Sequence, residues 1–224
     1  MKQFKIRCSQ IGQIMGAKGL GKTGLYYLDT WVKEQIYERK KEFTSKFTQK
    51  GIINEDESID MVADFLGLGF LVKNEKHFEN DFLTGTPDII LPGFIIDVKN
   101  SWNCFTFPIF ETECTNDDYY YQAQGYMELT GREHFKLCYT LTDTPINLIE
   151  SEARSYCYKN GYDIDDADVF DDFVKKMTYK NIPIQNRIKI FDIEKDKKCI
   201  DLIKSRVEEC RKILNDKYNF HLIN

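Results

Sequence analysis

Apolar residues recur along this chain in two rhythms. From Leu25 through Leu28, Trp31, Val32 and Ile36 they keep the three-and-four spacing of a helix, which the pattern carries to about residue 41. Upstream, Ser9 stands where it can cap a short helix carrying Ile11, Ile14 and Met15, and the glycine-rich stretch GAKGLGKTG follows as a turn. The polar stretch KEFTSKFTQKG reads as a linker to a helix over roughly 54–67, stopped at Gly67 and Gly69. Beyond it the period shortens to two. Phe70-Leu-Val reads as a strand, another is expected near Phe82, and Asp88-Ile-Ile-Leu and Phe94-Ile-Ile-Asp-Val flank the turn signal Pro92-Gly93 as a hairpin. Residues 116–130 form a helix with an acidic first turn and a stop at Gly131. Phe135–Leu141 and Arg187–Ile193 read as strands, and 146–158 and 166–178 as helices. A long amphipathic helix over 195–218 gathers Ile200, Ile203, Val207, Cys210 and Leu214 on one side. This order predicts an α/β fold, a mixed β-sheet of about five strands flanked by α-helices.

At 224 residues the chain suits one domain over 1–224, with N-terminal helices at 9–41, a core at about 50–142 and a helical and strand extension at 143–224. No stretch approaches the roughly 20 apolar residues that span a bilayer. Lys5, Arg7 and Gln10 interrupt the apolar run a signal peptide would need, so the expectation is a cytoplasmic protein, in a host's cytoplasm if a phage encodes it, with no membrane partner. The seven cysteines are odd in number and form no CxxC pair, which argues for buried free thiols rather than a zinc ribbon or disulfide framework. A net charge of −5 does not advertise nucleic-acid binding. Lys33, Arg39, Lys40, Lys41, Lys46 and Lys50 supply either a local basic patch or a solvated helix face.

The chemistry concentrates at the hairpin. Asp88 opens its first strand, directly after Pro87, and Asp97 and Lys99 lie near the end of its second. A period of two puts Asp97 and Lys99 on one face and turns Val98 to the other. Charges set directly after an apolar run are costly without partners, and a divalent cation held by Asp88 and Asp97 would be one. Mg²⁺ suits that set, because it dehydrates reluctantly and takes a few carboxylates plus waters. The helix at 54–67 offers a third acid: Glu55 shares a face with Ser58, Ile59, Val62, Ala63 and Leu66 and points inward at its edge. Glu57 lies about 200° further round. Phosphodiester hydrolysis needs an activated water, neutralised charge in the transition state and a stabilised leaving oxygen, which one or two Mg²⁺ ions supply. Lys99 would orient or deprotonate the water, and a nearby ion would lower its pKa. TPD or DVK alone is an ordinary turn or strand triplet. Their order, spacing, hairpin and upstream helical acid together point to a metal-dependent nuclease.

With those residues in place, the chain resembles the YqaJ-like and phage lambda exonuclease-like branch of the PD-(D/E)xK nucleases. The matching stretches are RCSQIGQIMG, KGIINEDESI, GTPDII, FIIDVKNSW and YYYQAQGYMELTG, in order over about residues 5–140, with RIKIFDIEKDKKCIDLIKSRVEEC as a less specific match. The resemblance implies a restriction-endonuclease-like core and Mg²⁺ as cofactor, with Mn²⁺ as a substitute. It makes Glu55 the helical acid, Asp88 and Asp97 the metal-binding acids, Lys99 the catalytic lysine and the Val98 carbonyl a metal ligand. Gln122 and Tyr126 match a QxxxY pattern in which the glutamine approaches the active site and is counted with the catalytic residues, and Tyr126 with the DNA contacts. Ser9 resembles a serine that sits near a DNA phosphate, with Arg7 assisting. Asp97 stands where many relatives have Glu, and the cysteine pattern of the iron–sulfur members is not evident, so no such cluster is expected. The implied activity is an exonuclease degrading linear duplex DNA from an end by two-metal hydrolysis, in phage-type recombination or repair. A ring-shaped homo-oligomer and a single-strand annealing protein are the implied partners. The alternatives are an endonuclease of the same superfamily and a non-catalytic DNA-binding or interaction module that keeps the fold.

Gly16-Ala-Lys-Gly-Leu-Gly-Lys-Thr23 also satisfies GxxxxGK[ST]. A P-loop needs a buried strand feeding the glycines, and Arg7, Ser9, Gln10 and Gln13 deny it one; the segment reads instead as a cationic DNA-contacting loop. His77, His134 and His221 form no metal-binding or paired pattern, and no GxSxG elbow occurs.

Overall fold

The computed structural model describes residues 3–42 and 44–222, the side chains after Tyr218 excepted, so that of His221 lies outside the described residues. At its centre four strands form a mixed sheet in the order β4-β5-β6-β7: β4 (Ile89–Ile90), β5 (Phe94–Asn100), β6 (His134–Thr140) and β7 (Ile188–Glu194). The expected hairpin is β4 with β5, antiparallel, Ile89 opposite Ile96. β5 and β6 run parallel, Asp97 beside Leu137 and Lys99 beside Tyr139, and β7 returns antiparallel. A parallel pair requires a crossover, and α4 (Asp117–Thr130) supplies it. The remaining strands, β1 (Ile6–Arg7), β2 (Phe78–Glu79) and β3 (Leu83–Gly85), make a small second sheet ordered β1-β3-β2.

Alternation along β5 sorts its side chains between two apolar clusters. Ile96 and Val98 pack with Ile59, Val62 and Ala63 of α3 (Glu55–Leu66). Ile95 faces the other way, into a core with Ala123 and Met127 of α4 and Ile203, Val207, Cys210 and Leu214 of α7 (Lys197–Leu222). The sheet is thus covered on both faces, and the pleat decides which helix each polar residue of β5 meets.

Several segments depart from the sequence pattern. Phe70–Val72 is not a strand: only Leu71 is buried, and Gly67 and Gly69 before it take left-handed turns, at φ 66° and 67°. The polar linker contains a helix, α2 (Lys46–Ile53), whose N-cap Ser45 accepts from the Thr48 amide at 3.2 Å. The preceding helix, α1, runs Gly21–Ile36, starting inside the glycine-rich stretch and ending before residue 41. Ser9 is not a cap. It lies within a 3-10 helix, Cys8–Ile14, whose N-cap position is Arg7 with no side-chain capping bond. That helix also separates the two-residue β1 from Gly16, so no long buried strand feeds the glycines. Downstream, α5 (Ile146–Asn160), α6 (Ala167–Met177) and α7 follow the expected spacing. Five cysteines are buried, as free thiols should be, whereas Cys104 is exposed and Cys114 half-buried.

Candidate active site

Asp97 is the buried pivot, 1% exposed on the α4-facing side of β5. Gln122, itself buried, donates from Nε2 to its Oδ1 at 3.2 Å. Oδ2 is buried without a hydrogen bond and meets only the ammonium of Lys99, two residues on and on the same face, as an ion pair. Lys99 Nζ also stands 5.1 Å from the ring centre of Tyr119, one turn before Gln122 on α4. Burial pulls the Lys99 pKa down, but the Asp97 and Asp88 carboxylates outweigh it and hold it above the ordinary value.

Asp88 lies at the strand edge. Its Oδ2 accepts from the Val98 amide at 3.1 Å, taking the place of a ladder partner where β4 begins. Within a strand the N–H and C=O of one residue point to the same edge, so the Val98 carbonyl opens beside Asp88. Burial first, and the Asp97 charge second, push the Asp88 pKa up to about 7, against the pull of Lys99 and the Val98 amide.

Glu55 opens α3 on the opposite face of the sheet. It is partly buried at the edge of the apolar side, as its spacing predicts, and its Oε2 pairs with Lys73 Nζ at 2.7 Å. Lys73 belongs to the irregular segment after Leu71, which the Asn74 side chain ties to the Pro87 carbonyl at 2.9 Å and the Asn74 amide to the Asp88 carbonyl at 2.7 Å. Glu55, Asp88, Val98, Lys99, Asn100 and Tyr119 all line one cavity of about 380 Å³, walled on its outer side by Phe47, Gly51 and Ile52 of α2. Among the described residues, no group of three His, Cys, Asp or Glu side chains that could hold a metal ion is found. Asp97 is buried and does not line this cavity, and Glu55, on the other face of β5, is paired with Lys73.

Even so, the residues present fit a hard cation. Two aspartates and a carbonyl are oxygen donors of the kind Mg²⁺ takes with waters. The Oδ2 of Asp97, buried with no hydrogen bond and paired only with Lys99, and the burial of Asp88 beside like charge both favour positive charge at this edge.

Gln122 and Tyr126 work as a pair. One turn apart on α4, they connect the two segments that carry the aspartates: Gln122 Nε2 also reaches the Tyr126 hydroxyl at 3.4 Å, and that hydroxyl donates to the Thr86 carbonyl at 3.2 Å, two residues before Asp88. Tyr126 is 6% exposed and its hydroxyl is engaged inside the protein, bridging α4 to Thr86. Gly125 lets α4 sit close against the 3-10 helix, since a Cβ there would meet Ile11 Cδ1 at 2.6 Å and Cys8 Sγ at 2.9 Å.

Arg7 and Ser9 are exposed and do not line the cavity; Arg7 pairs in register with Thr84, on the strand that leads towards Asp88. The basic patch is only partly a surface feature. Lys33, Arg39, Lys40 and Lys41 surround a shallow cavity with Tyr26 and Tyr37, and Lys46 pairs with Glu152 at 2.7 Å. Lys50 is fully buried and leaves the patch.

Sequence reasoning missed Lys73, Tyr119, Asn100 and Ser58. Tyr119 could have been found from its i,i+3 relation to Gln122. Asn100 Nδ2 donates to Ser58 Oγ at 2.9 Å and Thr142 Oγ1 at 2.6 Å, and its own Oδ1 is buried without a partner. Lys73 gives no local signal.

No protein-family model matches the chain, and no curated protein matches it in sequence. Among solved structures it is similar to a phage-related exonuclease from Haemophilus somnus 129PT, with 28% identity and a TM-score of 0.77 over 96% of this chain and 95% of that one. It is similar in fold to an alkaline exonuclease from Laribacter hongkongensis, at 14% identity and a TM-score of 0.67 over 96% and 90% of the two chains. That enzyme is also solved in complex with dAMP, and this form matches with a TM-score of 0.66. The fold is restriction-endonuclease-like, a mixed α/β core flanked by helices, and the likeness to the Haemophilus protein supports a nuclease.

Proposed function

We propose that the chain is a Mg²⁺-dependent deoxyribonuclease of the PD-(D/E)xK type, a single nuclease domain that degrades linear duplex DNA from an end. The observation that carries the reading is Asp97: a buried carboxylate with one oxygen fixed by Gln122 and the other paired with Lys99, which lines one cavity together with Asp88 and Glu55. Asp88, Asp97 and the Val98 carbonyl would hold one ion, and Glu55 would complete a two-ion site once Lys73 releases it. When bound, Mg²⁺, or Mn²⁺ in its place, neutralises charge on the scissile phosphate and generates a nucleophile from water at neutral pH.

The protein's own groups do the rest. Gln122 holds Asp97 by Oδ1 and leaves Oδ2 to Lys99, which lines the cavity. Asp88 carries a proton up to about pH 7 and would give it up on joining the donor set. Lys99, protonated while it faces two carboxylates, acts as an electrostatic clamp on the phosphate and as the group nearest an attacking water. Arg7, exposed on β1 of the small sheet, and Ser9, exposed in the 3-10 helix after it, are the phosphate contacts of this reading. A ring-shaped homo-oligomer and an annealing partner belong to the same proposal by analogy.

The test is end-labelled linear duplex and closed circular DNA, each with and without Mg²⁺. Loss of linear DNA alone, in Mg²⁺ alone, supports the exonuclease; cleavage of circles would make it an endonuclease; and tight binding without cleavage in Mg²⁺ or Mn²⁺ would make it a binding module.

A further inference from the structure

The side chain of Lys50, in the last turn of α2, is 0% exposed, yet it carries an ammonium group. Its Nζ donates to two backbone carbonyls, Ser101 and Trp102, each at 2.9 Å. The rings of Trp102 and Tyr179 lie 6.0 and 5.7 Å from it, within cation–π range. Those carbonyls belong to the chain directly after Lys99 and Asn100. Four residues beyond Lys50, Asn54 closes the corner between α2 and α3, and its Nδ2 donates to Thr142 Oγ1 and the Asp143 carbonyl, each at 2.7 Å. The next residue is Glu55. Two ties therefore fasten one helical corner to the C-terminal ends of the parallel pair, Lys50 to β5 and Asn54 to β6.

Accordingly, we infer that Lys50 is a positioning residue for cleavage, which fixes the end of β5, and through it Lys99, against the α2–α3 corner that presents Glu55. The inference rests on the nuclease reading. Burial pulls the Lys50 pKa down to about 8, against the Asp143 and Glu57 charges that favour the protonated form, so the folded state is a poorer host for the charge than water. Its contribution is geometric: an ammonium group is a hub of three donors, and two of them meet carbonyls at the one point where the strand bearing Asp97 and Lys99 leaves the sheet. The same helix walls the cavity through Phe47, Gly51 and Ile52, so loosening the tie moves both sides of the site at once.

The experiment compares full-length wild type, Lys50→Met and Lys50→Arg. Methionine fills similar volume without a donor, and arginine keeps the charge and the donors. Measured are kcat and KM on linear duplex DNA in Mg²⁺, thermal unfolding, and amide hydrogen exchange over residues 99–103. For Lys50→Met the expectation is a melting temperature at or above wild type, KM within about twofold, kcat lower by roughly 10- to 100-fold, and faster exchange at 99–103. Lys50→Arg should recover part of kcat. Unchanged kcat and exchange in Lys50→Met would overturn the inference while leaving the nuclease reading intact, and so would a loss of kcat that follows a lowered melting temperature. If wild type itself cleaves no DNA, the nuclease reading fails, and the exchange rates alone decide whether Lys50 holds the strand end.

Discussion

Gln122 grips Asp97 by one oxygen and leaves the other to Lys99, so a single carboxylate is shared between a neutral donor on α4 and a cation on its own strand. The neutral donor fixes direction without cancelling charge, so the carboxylate keeps its full charge opposite Lys99. Replacing Gln122 by Leu should lower activity about 10- to 100-fold, the usual effect of losing a partner that orients a metal ligand. It should also raise the Mg²⁺ concentration needed for half-maximal rate. A rate and Mg²⁺ dependence equal to wild type would remove Gln122 from the site.

Lys99 and Asp97 are the other pair to separate. Asp97→Ala leaves a largely buried ammonium without its main partner, and Lys99→Met leaves the carboxylate uncompensated. Each should reduce cleavage by at least about 10²–10³-fold. Only Asp97→Ala should abolish Mg²⁺ binding, read by isothermal titration. Mg²⁺ bound equally well without Asp97 would contradict the proposed donor set.

The Asp88 carboxyl makes the ion-free protein sensitive to pH. It holds its proton up to about pH 7 when folded, against an ordinary value of 3.8. Between those values the folded state binds more protons than the unfolded chain, so stability falls as pH rises. This contribution is complete below about pH 4 and lost as pH passes 7, by at most about 4 kcal/mol. In EDTA, wild type should therefore lose stability relative to Asp88→Asn across that window, and Mg²⁺ should restore it to wild type alone. A wild-type-minus-variant difference that stays flat from pH 4 to 8 would falsify the raised pKa.

How much of this was legible in the sequence depends on how local the cause is. The alternation that sets Asp97 and Lys99 together and sends Ile96 and Val98 to α3 needs only a period of two, and the structure follows it. The same holds for the face of Glu55 and for the glycine stops at Gly67 and Gly131. The α2 helix was hidden because its one fully buried side chain is a lysine, and lysine reads as surface. The Lys73–Glu55 pair was hidden because an irregular segment delivers it, through Asn74 and the Pro87 carbonyl, by contacts with no periodicity. The inward use of the Tyr126 hydroxyl was hidden because QxxxY shows only that two side chains share a helix face.

Gly125 offers a test of how closely α4 must sit. An added methyl would fall 2.6 Å from Ile11 Cδ1 and 2.9 Å from Cys8 Sγ, against a 3-10 helix that packs in the main core. Overpacking of this kind costs about 1–3 kcal/mol, and for a chain of this size each kcal/mol lowers Tm by roughly 2–4 °C. Gly125→Ala should melt lower and lose activity as Gln122 shifts. An unchanged Tm would mean that α4 has room to move.

The Glu55–Lys73 pair yields the prediction that bears most directly on the third acid. Its side chains are 27% and 47% exposed, so the pair contributes little to stability, about 0.5 kcal/mol or less. Its effect is on availability: as long as Lys73 holds Oε2, Glu55 faces the cavity already neutralised, and an ion must displace an ammonium group to use it. Lys73→Ala should leave the melting temperature within about 2 °C and lower the Mg²⁺ concentration that gives half-maximal cleavage. Glu55→Ala should raise that concentration or abolish cleavage. If Lys73→Ala instead weakens DNA binding with the Mg²⁺ requirement unchanged, Lys73 is a phosphate contact, and Glu55 does not serve the ion.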